Sequence, residues 1–143
     1  MKQFRNYENA CVEFKKNINI IIGNNAQGKT SLIESMYVLS TTKSHRTSKD
    51  SQLILFGTDF ARIEADIKRE QDDFTLSLVL SKKGKKASYN GIVQKKLSDY
   101  VGKLIVVMFA PEDLSLVKGG PQYRRRFMDK EIGQLSPSYL FHL

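Results

Sequence analysis

The chain has 143 residues, 41% hydrophobic and 27% charged, which suits one soluble globular domain or part of a larger one. Its 23 Lys and Arg against 15 Asp and Glu leave a formal net charge of +8, which favours a polyanionic partner, although a basic solubility surface has the same composition. No apolar run approaches the ~18 residues of a membrane span, the first ten residues lack the apolar core of a secretory signal, and Cys11 stands alone, with no internal disulfide and no zinc spacing. A cytosolic protein is the simple reading.

In chain order, residues 4–16 read as extended, with Ala10, Val12 and Phe14 alternating against Cys11, Glu13 and Lys15. A strand opening at Lys2-Gln3-Phe4 would start almost at the chain end. Asn17 suits a tight turn into residues 18–22, INIII, a β-branched run predicted as a buried strand that pairs back as a hairpin.

Residues 23–30 read GNNAQGKT and fit the phosphate-loop pattern G-x-x-x-x-G-K-[ST]. Leu32, Ile33, Met36, Val38 and Leu39 follow at spacings that predict a largely buried helix, so the motif lies between strand and helix. Gly23 and Gly28 let the backbone curl its N–H groups toward an anion, and the helix beginning near Gly28 adds its positive end. Lys29 supplies a cation for the β- and γ-phosphates. Thr30 offers a hydroxyl to Mg²⁺. The alternative is a glycine-containing turn with a solvent-facing lysine.

Residues 40–50 are polar and basic, predicting a loop that returns toward the nucleotide, although His45 and Arg46 also suit a solvated surface. Residues 53–56 are too short to classify, and Gly57 and Asp59 end them. Residues 61–69 alternate cleanly and predict a half-buried antiparallel strand. A turn at 71–73 leads to a second alternating strand at 74–80. Lys82, Lys83, Lys85 and Lys86 surround a turn with Gly84 at its tip, and Asn90-Gly91 predicts a type I′ hairpin between residues 87–89 and 92–93. With Lys95 and Lys96, these lysines suit contacts to backbone phosphates, and equally suit protection of a sheet edge.

Residues 97–102 predict a short helix ended by Gly102. Residues 104–109, LIVVMF, predict a strand buried on both faces of a parallel sheet. Pro121 opens a predicted helix that carries Arg124, Arg125 and Arg126, with Phe127, Ile132 and Leu135 on its apolar side. Ser136-Pro137 breaks it, and another helix begins at 138. A hydrolytic P-loop also needs an acid at a strand tip. Glu112 and Asp113 are the candidates, displaced from residues 104–109 by Ala110 and Pro111, so the residues themselves supply half an ATPase site.

FRNYE at 4–8, GNNAQGKTSLIES at 23–35, TKSHRTSKD at 42–50, FAPEDLSLVKGGP at 109–121 and RRRFMDKEIGQLSPSYL at 124–140 together resemble the RecF family of recombination-mediator ATPases. The resemblance implies an α/β fold: a P-loop NTPase core of the ABC/SMC-head type over residues 1–57 and 101–143, with an antiparallel β-meander lobe over 58–100. It implies ATP and Mg²⁺ as cofactors, with Gly23, Asn24, Asn25, Ala26, Gln27, Gly28, Lys29, Thr30 and Ser31 around the phosphates and Thr30 on the metal. Lys43, His45 and Arg46 resemble a basic loop that approaches nucleotide or DNA. Glu112 or Asp113 becomes a metal- or γ-phosphate-sensing acid in a lobe-joining segment.

Single-stranded and gapped duplex DNA, a RecR-type mediator and an ATP-dependent homodimer are the implied partners. The implied roles are DNA replication, repair and recombination, and the SOS response. Asn24 departs from the family, which usually carries Glu there. The signature motif and the acid-tipped Walker B strand of a weak DNA-stimulated ATPase lie beyond this length, and the start looks clipped. The expectation is therefore an incomplete, N-terminal part of a head, with apolar edges, that binds nucleotide without appreciable hydrolysis. A small P-loop kinase would need a substrate lid and an acid at a strand tip, neither of which is evident. A DNA-binding module with a vestigial loop would be indifferent to Lys29→Ala.

Overall fold

A computed structural model describes residues 1–70 and 72–142, and the side chains of residues 112, 115, 137 and 140 also lie outside the description. In chain order the elements are β1 (Lys2–Phe4), β2 (Tyr7–Asn9), α1 (Lys29–Thr41), β3 (Phe60–Lys68), β4 (Asp73–Ser81), β5 (Gly84–Tyr89), β6 (Ile92–Val93), α2 (Ser115–Lys118), α3 (Pro121–Leu135) and α4 (Pro137–His142). Short 3₁₀ turns at Asp50–Leu53, Leu97–Asp99 and Pro111–Leu114 join them. One six-stranded sheet, antiparallel throughout, runs in the order β2-β1-β3-β4-β5-β6.

The alternation read in the sequence sets the register of this sheet. Ala61, Ile63, Ala65 and Ile67 of β3 stand opposite Leu80, Leu78, Leu76 and Phe74 of β4, which puts one apolar face on the core. Val38 and Leu39 of α1, together with Phe4, Leu53, Tyr100 and Val101, fill the same core. Each fully buried side chain of this size contributes about 1.5–3 kcal/mol relative to exposure. The Asn90-Gly91 turn forms as expected, with φ of 48° and 77° at the two residues. Residue 71, the first of the predicted turn at 71–73, lies outside the described residues.

The sheet does not stop at residue 58, because β1 pairs with β3 through Lys2 and Arg62, and Phe4 bridges to Ile54. This sheet includes the strand at Lys2–Phe4, whereas the hairpin predicted around Asn17 does not form. Asn17 has the left-handed φ of a turn, 71°, and Asn19 exchanges two hydrogen bonds with the Lys15 backbone, but no ladder extends from it.

Two apolar runs predicted as strands are not strands. Residues 18–22 lack ladder pairing, and Ile18, Ile20 and Ile22 are 78–89% exposed. Residues 104–109 likewise form no ladder, and Ile105, Val107 and Phe109 face outward while Leu104 packs against the core. A strand buried on both faces needs neighbouring strands for its N–H and C=O groups, and among the described residues no strand pairs with either run.

Helix α3 begins at Pro121 as predicted, with Pro in its first turn. Its inward residues differ from the expected Phe127, Ile132 and Leu135: Phe127 and Leu135 are exposed, while Gly133 and Gln134 are buried. Gln134 engages the Val106 backbone in both directions. Its Oε1 accepts from the Val106 N–H at 3.1 Å, and its Nε2 donates to the Val106 carbonyl at 3.4 Å. The Ser40 hydroxyl of α1 lies 3.1 Å from the same Oε1 and donates to the Leu104 carbonyl at 2.6 Å. One buried amide thus joins α1, α3 and residues 104–106.

Candidate functional site

Residues 23–28 arrive at α1 as a curled loop. Ala26 has a left-handed φ of 64°, and Gly28, the residue before the helix, has φ of 96°. Position 28 is also closely neighboured. A Cβ there would stand 2.7 Å from Asn6 Nδ2 and 2.9 Å from the Tyr7 ring, so the β1–β2 hairpin presses directly on the loop. The first helical bond runs from the Leu32 N–H to the Gly28 carbonyl, which leaves the preceding amides at the positive end of α1 outside the helical ladder.

The Lys29 ammonium donates to the carbonyls of Gly23 and Asn24 at 2.7 and 2.6 Å, which draws it across the loop. Residues Asn25 to Ser31 line an open cleft of about 1040 Å³. Asn24 presents its backbone carbonyl to Lys29. Thr30 is exposed on the cleft, and Ser31 is buried beside it.

Glu34, one turn further along α1, is fully buried and anchors the rest of the site. Arg5 grips it as a fork, Nε to Oε2 at 2.9 Å and Nη2 to Oε1 at 2.6 Å, and donates its remaining nitrogen to the Gln52 carbonyl at 2.8 Å. The Ser44 hydroxyl donates to Oε1 at 2.5 Å, and Arg46 pairs with Oε2 at 3.4 Å. Burial alone would raise the Glu34 pKa. The hydrogen bonds from Arg5 and Ser44, with the charges of Arg5 and Arg46, outweigh it and hold the carboxyl below its ordinary 4.5.

Arg5 and Arg46 both line the cleft, so this network delivers two guanidiniums to the phosphate loop. Sequence reasoning placed Arg46 near the nucleotide but missed Arg5 and Glu34. The available signal was a lone acid, Glu34, in a helix otherwise read as buried.

The other basic candidates divide. Lys43 is exposed, and His45 packs edge-on against the Tyr37 ring at 5.7 Å. Lys85 stands opposite Leu80 on the core face of β5, and its stem carries the ammonium to the Thr42 carbonyl and to Asp50 at 2.9 Å. It fastens residues 42–50 to the sheet. Lys82 pairs with Asp59 at 3.1 Å and lines the cleft. Lys83 and Lys86 are exposed. Asp113 is engaged within its own turn, where Oδ2 accepts from the Ala110 N–H at 2.8 Å, and the Glu112 side chain lies outside the described residues. No cluster of three or more His, Cys, Asp or Glu that could hold a metal occurs among the described residues. No helix among them is long and apolar enough to cross a membrane.

A glycine-lined loop opening into a helix, a lysine drawn across it and two arginines beside it define a P-loop nucleotide-binding domain. Residues 1–137 match the AAA domain family, and the chain belongs to it. Over its whole length the chain is 55% identical to the DNA replication and repair protein RecF of Halalkalibacterium halodurans, covering 38% of that protein. It is also 55% identical to RecF of Bacillus subtilis strain 168, covering 39%. Two solved RecF structures from the RecFOR pathway, RecF-ATP and RecF-ATPrS, superpose with TM-scores of 0.92 and 0.91 at 31% identity, covering 98% of this chain and 38% of each of theirs. The RecF resemblance and the P-loop head fold expected from the sequence are therefore found, in a chain that spans about two fifths of these relatives' length.

Proposed function

We propose that this chain is the ATP-binding part of a RecF-type recombination mediator, with residues 1–57 and 101–143 forming the nucleotide core and residues 58–100 a lobe whose sheet continues into β1 and β2. The observation that carries the reading is the Gly28 crevice with Lys29 folded over it, at a cleft that also receives Arg5 and Arg46. The α- and β-phosphates take the loop amides and the positive end of α1. Lys29 exchanges its two loop carbonyls for the β- and γ-phosphates. Thr30, exposed on the cleft, would offer its hydroxyl to a phosphate-bound Mg²⁺, which keeps most of its waters and takes few protein ligands. The metal neutralises phosphate charge when bound.

Relatives described as recombination mediators, together with the formal charge of +8, support single-stranded or gapped duplex DNA as a partner, with a RecR-type protein and a second head completing the assembly. Lys83 and Lys86 are exposed cations of the lobe that suit that contact, and Lys43 is one on the loop beside the cleft, next to the partly exposed, Glu34-paired Arg46. Titration of the 143-residue chain with ATP and magnesium tests the reading. Saturable uptake is expected, and Lys29→Ala weakens it by at least about thirtyfold, the cost of removing one partner from a charged, hydrogen-bonded contact. Uptake indifferent to Lys29→Ala would overturn it.

A further inference from the structure

We infer that Phe56 is the platform on which the base of the bound nucleotide stacks; this rests on the nucleotide reading above and assigns the cleft beyond the phosphates. The cleft is about 1040 Å³, room for a complete nucleotide and more than a triphosphate alone requires. Its phosphate end is fixed by residues 25–31 with Arg5 and Arg46. The remainder is walled by Asn6, Ser51, Gln52, residues 54–59 and Lys82. Within that wall Phe56 is 100% exposed and, among the described residues, is the only aromatic one lining the cleft.

Its exposure is not that of an element left without a neighbour. Leu53, three residues earlier, is fully buried, and Ile54 bridges to Phe4. The Leu55 N–H donates to the Gln3 carbonyl at 2.9 Å, and the Thr58 N–H and hydroxyl both return to the Leu55 carbonyl. The turn is thus bonded on both sides of Phe56 while the ring itself contributes nothing to the core. Leaving a phenyl ring in water forgoes burial that folding ordinarily collects, and a rigid turn presenting it to a nucleotide-sized cleft is the arrangement a stacking surface needs. Among the described residues the charged groups on this wall, Asp59 and Lys82, pair with each other at 3.1 Å, which leaves the ring face as the wall's surface for a base.

The test measures binding of Mg-ATP, Mg-GTP and magnesium tripolyphosphate to the wild-type chain, Phe56→Ala and Phe56→Trp. Phe56→Ala is expected to weaken ATP and GTP about tenfold, the scale of one base–aromatic stack, and to leave tripolyphosphate unchanged. Phe56→Trp restores binding, and because the sequence has no other tryptophan its fluorescence reports the stack directly. Unchanged ATP affinity in Phe56→Ala would overturn the inference while leaving the nucleotide reading intact. So would an equal loss for tripolyphosphate, or weaker binding of a single-stranded oligonucleotide with ATP affinity unaltered. Failure of the wild-type chain to take up either ATP or tripolyphosphate would remove the nucleotide reading and this inference with it.

Discussion

The two halves of this molecule solve the same problem with different success. Strands β3 to β6 are joined by short turns, and each finds its hydrogen-bonding neighbour within a few residues of sequence. The apolar runs at 18–22 and 104–109 are richer in β-branched and aromatic residues, yet neither enters a sheet among the described residues. Antiparallel neighbours can be supplied by a hairpin. Strands of the parallel kind depend on partners many residues away. High strand propensity therefore does not make a strand where the ladder is lacking, whereas moderate propensity with a good turn does.

Glu34 joins α1 to the β1–β2 turn and to residues 44–46, and its removal should have the largest effect. Glu34→Ala leaves Arg5 without its forked partner at a buried position and is expected to cost about 3–5 kcal/mol in urea unfolding. The same carboxyl gives the comparison a pH signature. Its pKa is held below the ordinary 4.5, so its stabilising contribution is present above that value and is lost as pH falls through the lowered folded-state value. Stability of the wild type should therefore drop below about pH 4.5 more steeply than that of Glu34→Gln, and parallel pH curves for the two would show that the carboxylate charge is not what holds the joint.

A second, smaller contrast separates the halves directly. Leu78→Ala, at a fully buried position of β4, should cost about 2–5 kcal/mol, whereas Ile20→Ala, at 78% exposure, should stay within about 0.5 kcal/mol. Comparable losses at both sites, read from urea midpoints, would mean that residues 18–22 are packed in solution. The smallest effect belongs to the lobe surface. Lys83→Ala and Lys86→Ala should each reduce the slope of log K against log salt for DNA binding by about one, with stability unchanged. Lys85→Ala should instead lower stability, because that ammonium ties down residues 42–50.

Much of this was legible in the residues. The phosphate loop declares itself through fixed spacing, and the meander through period-two alternation punctuated by Asn90-Gly91. Pro121 marks the start of α3. What escaped did so for physical reasons. Composition and periodicity show that residues 104–109 are apolar but not whether a partner lies alongside them. Lys85 belongs to a lysine cluster in sequence, and only the register opposite Leu80 turns it inward. Phe56 is one apolar residue among four, and only the fold shows that Leu53 is buried while Ile54, Leu55 and Phe56 line the cleft.

The bond pair between Gln134 and Val106 has a mechanical consequence. The carboxamide meets Val106 and the Ser40 hydroxyl meets the Leu104 carbonyl, so residues 104–106 are held at two backbone points by side chains rather than by a ladder. Because Ser40, near the end of the helix rooted in the phosphate loop, touches that same carboxamide, α1 and the stretch leading to Asp113 share one polar anchor.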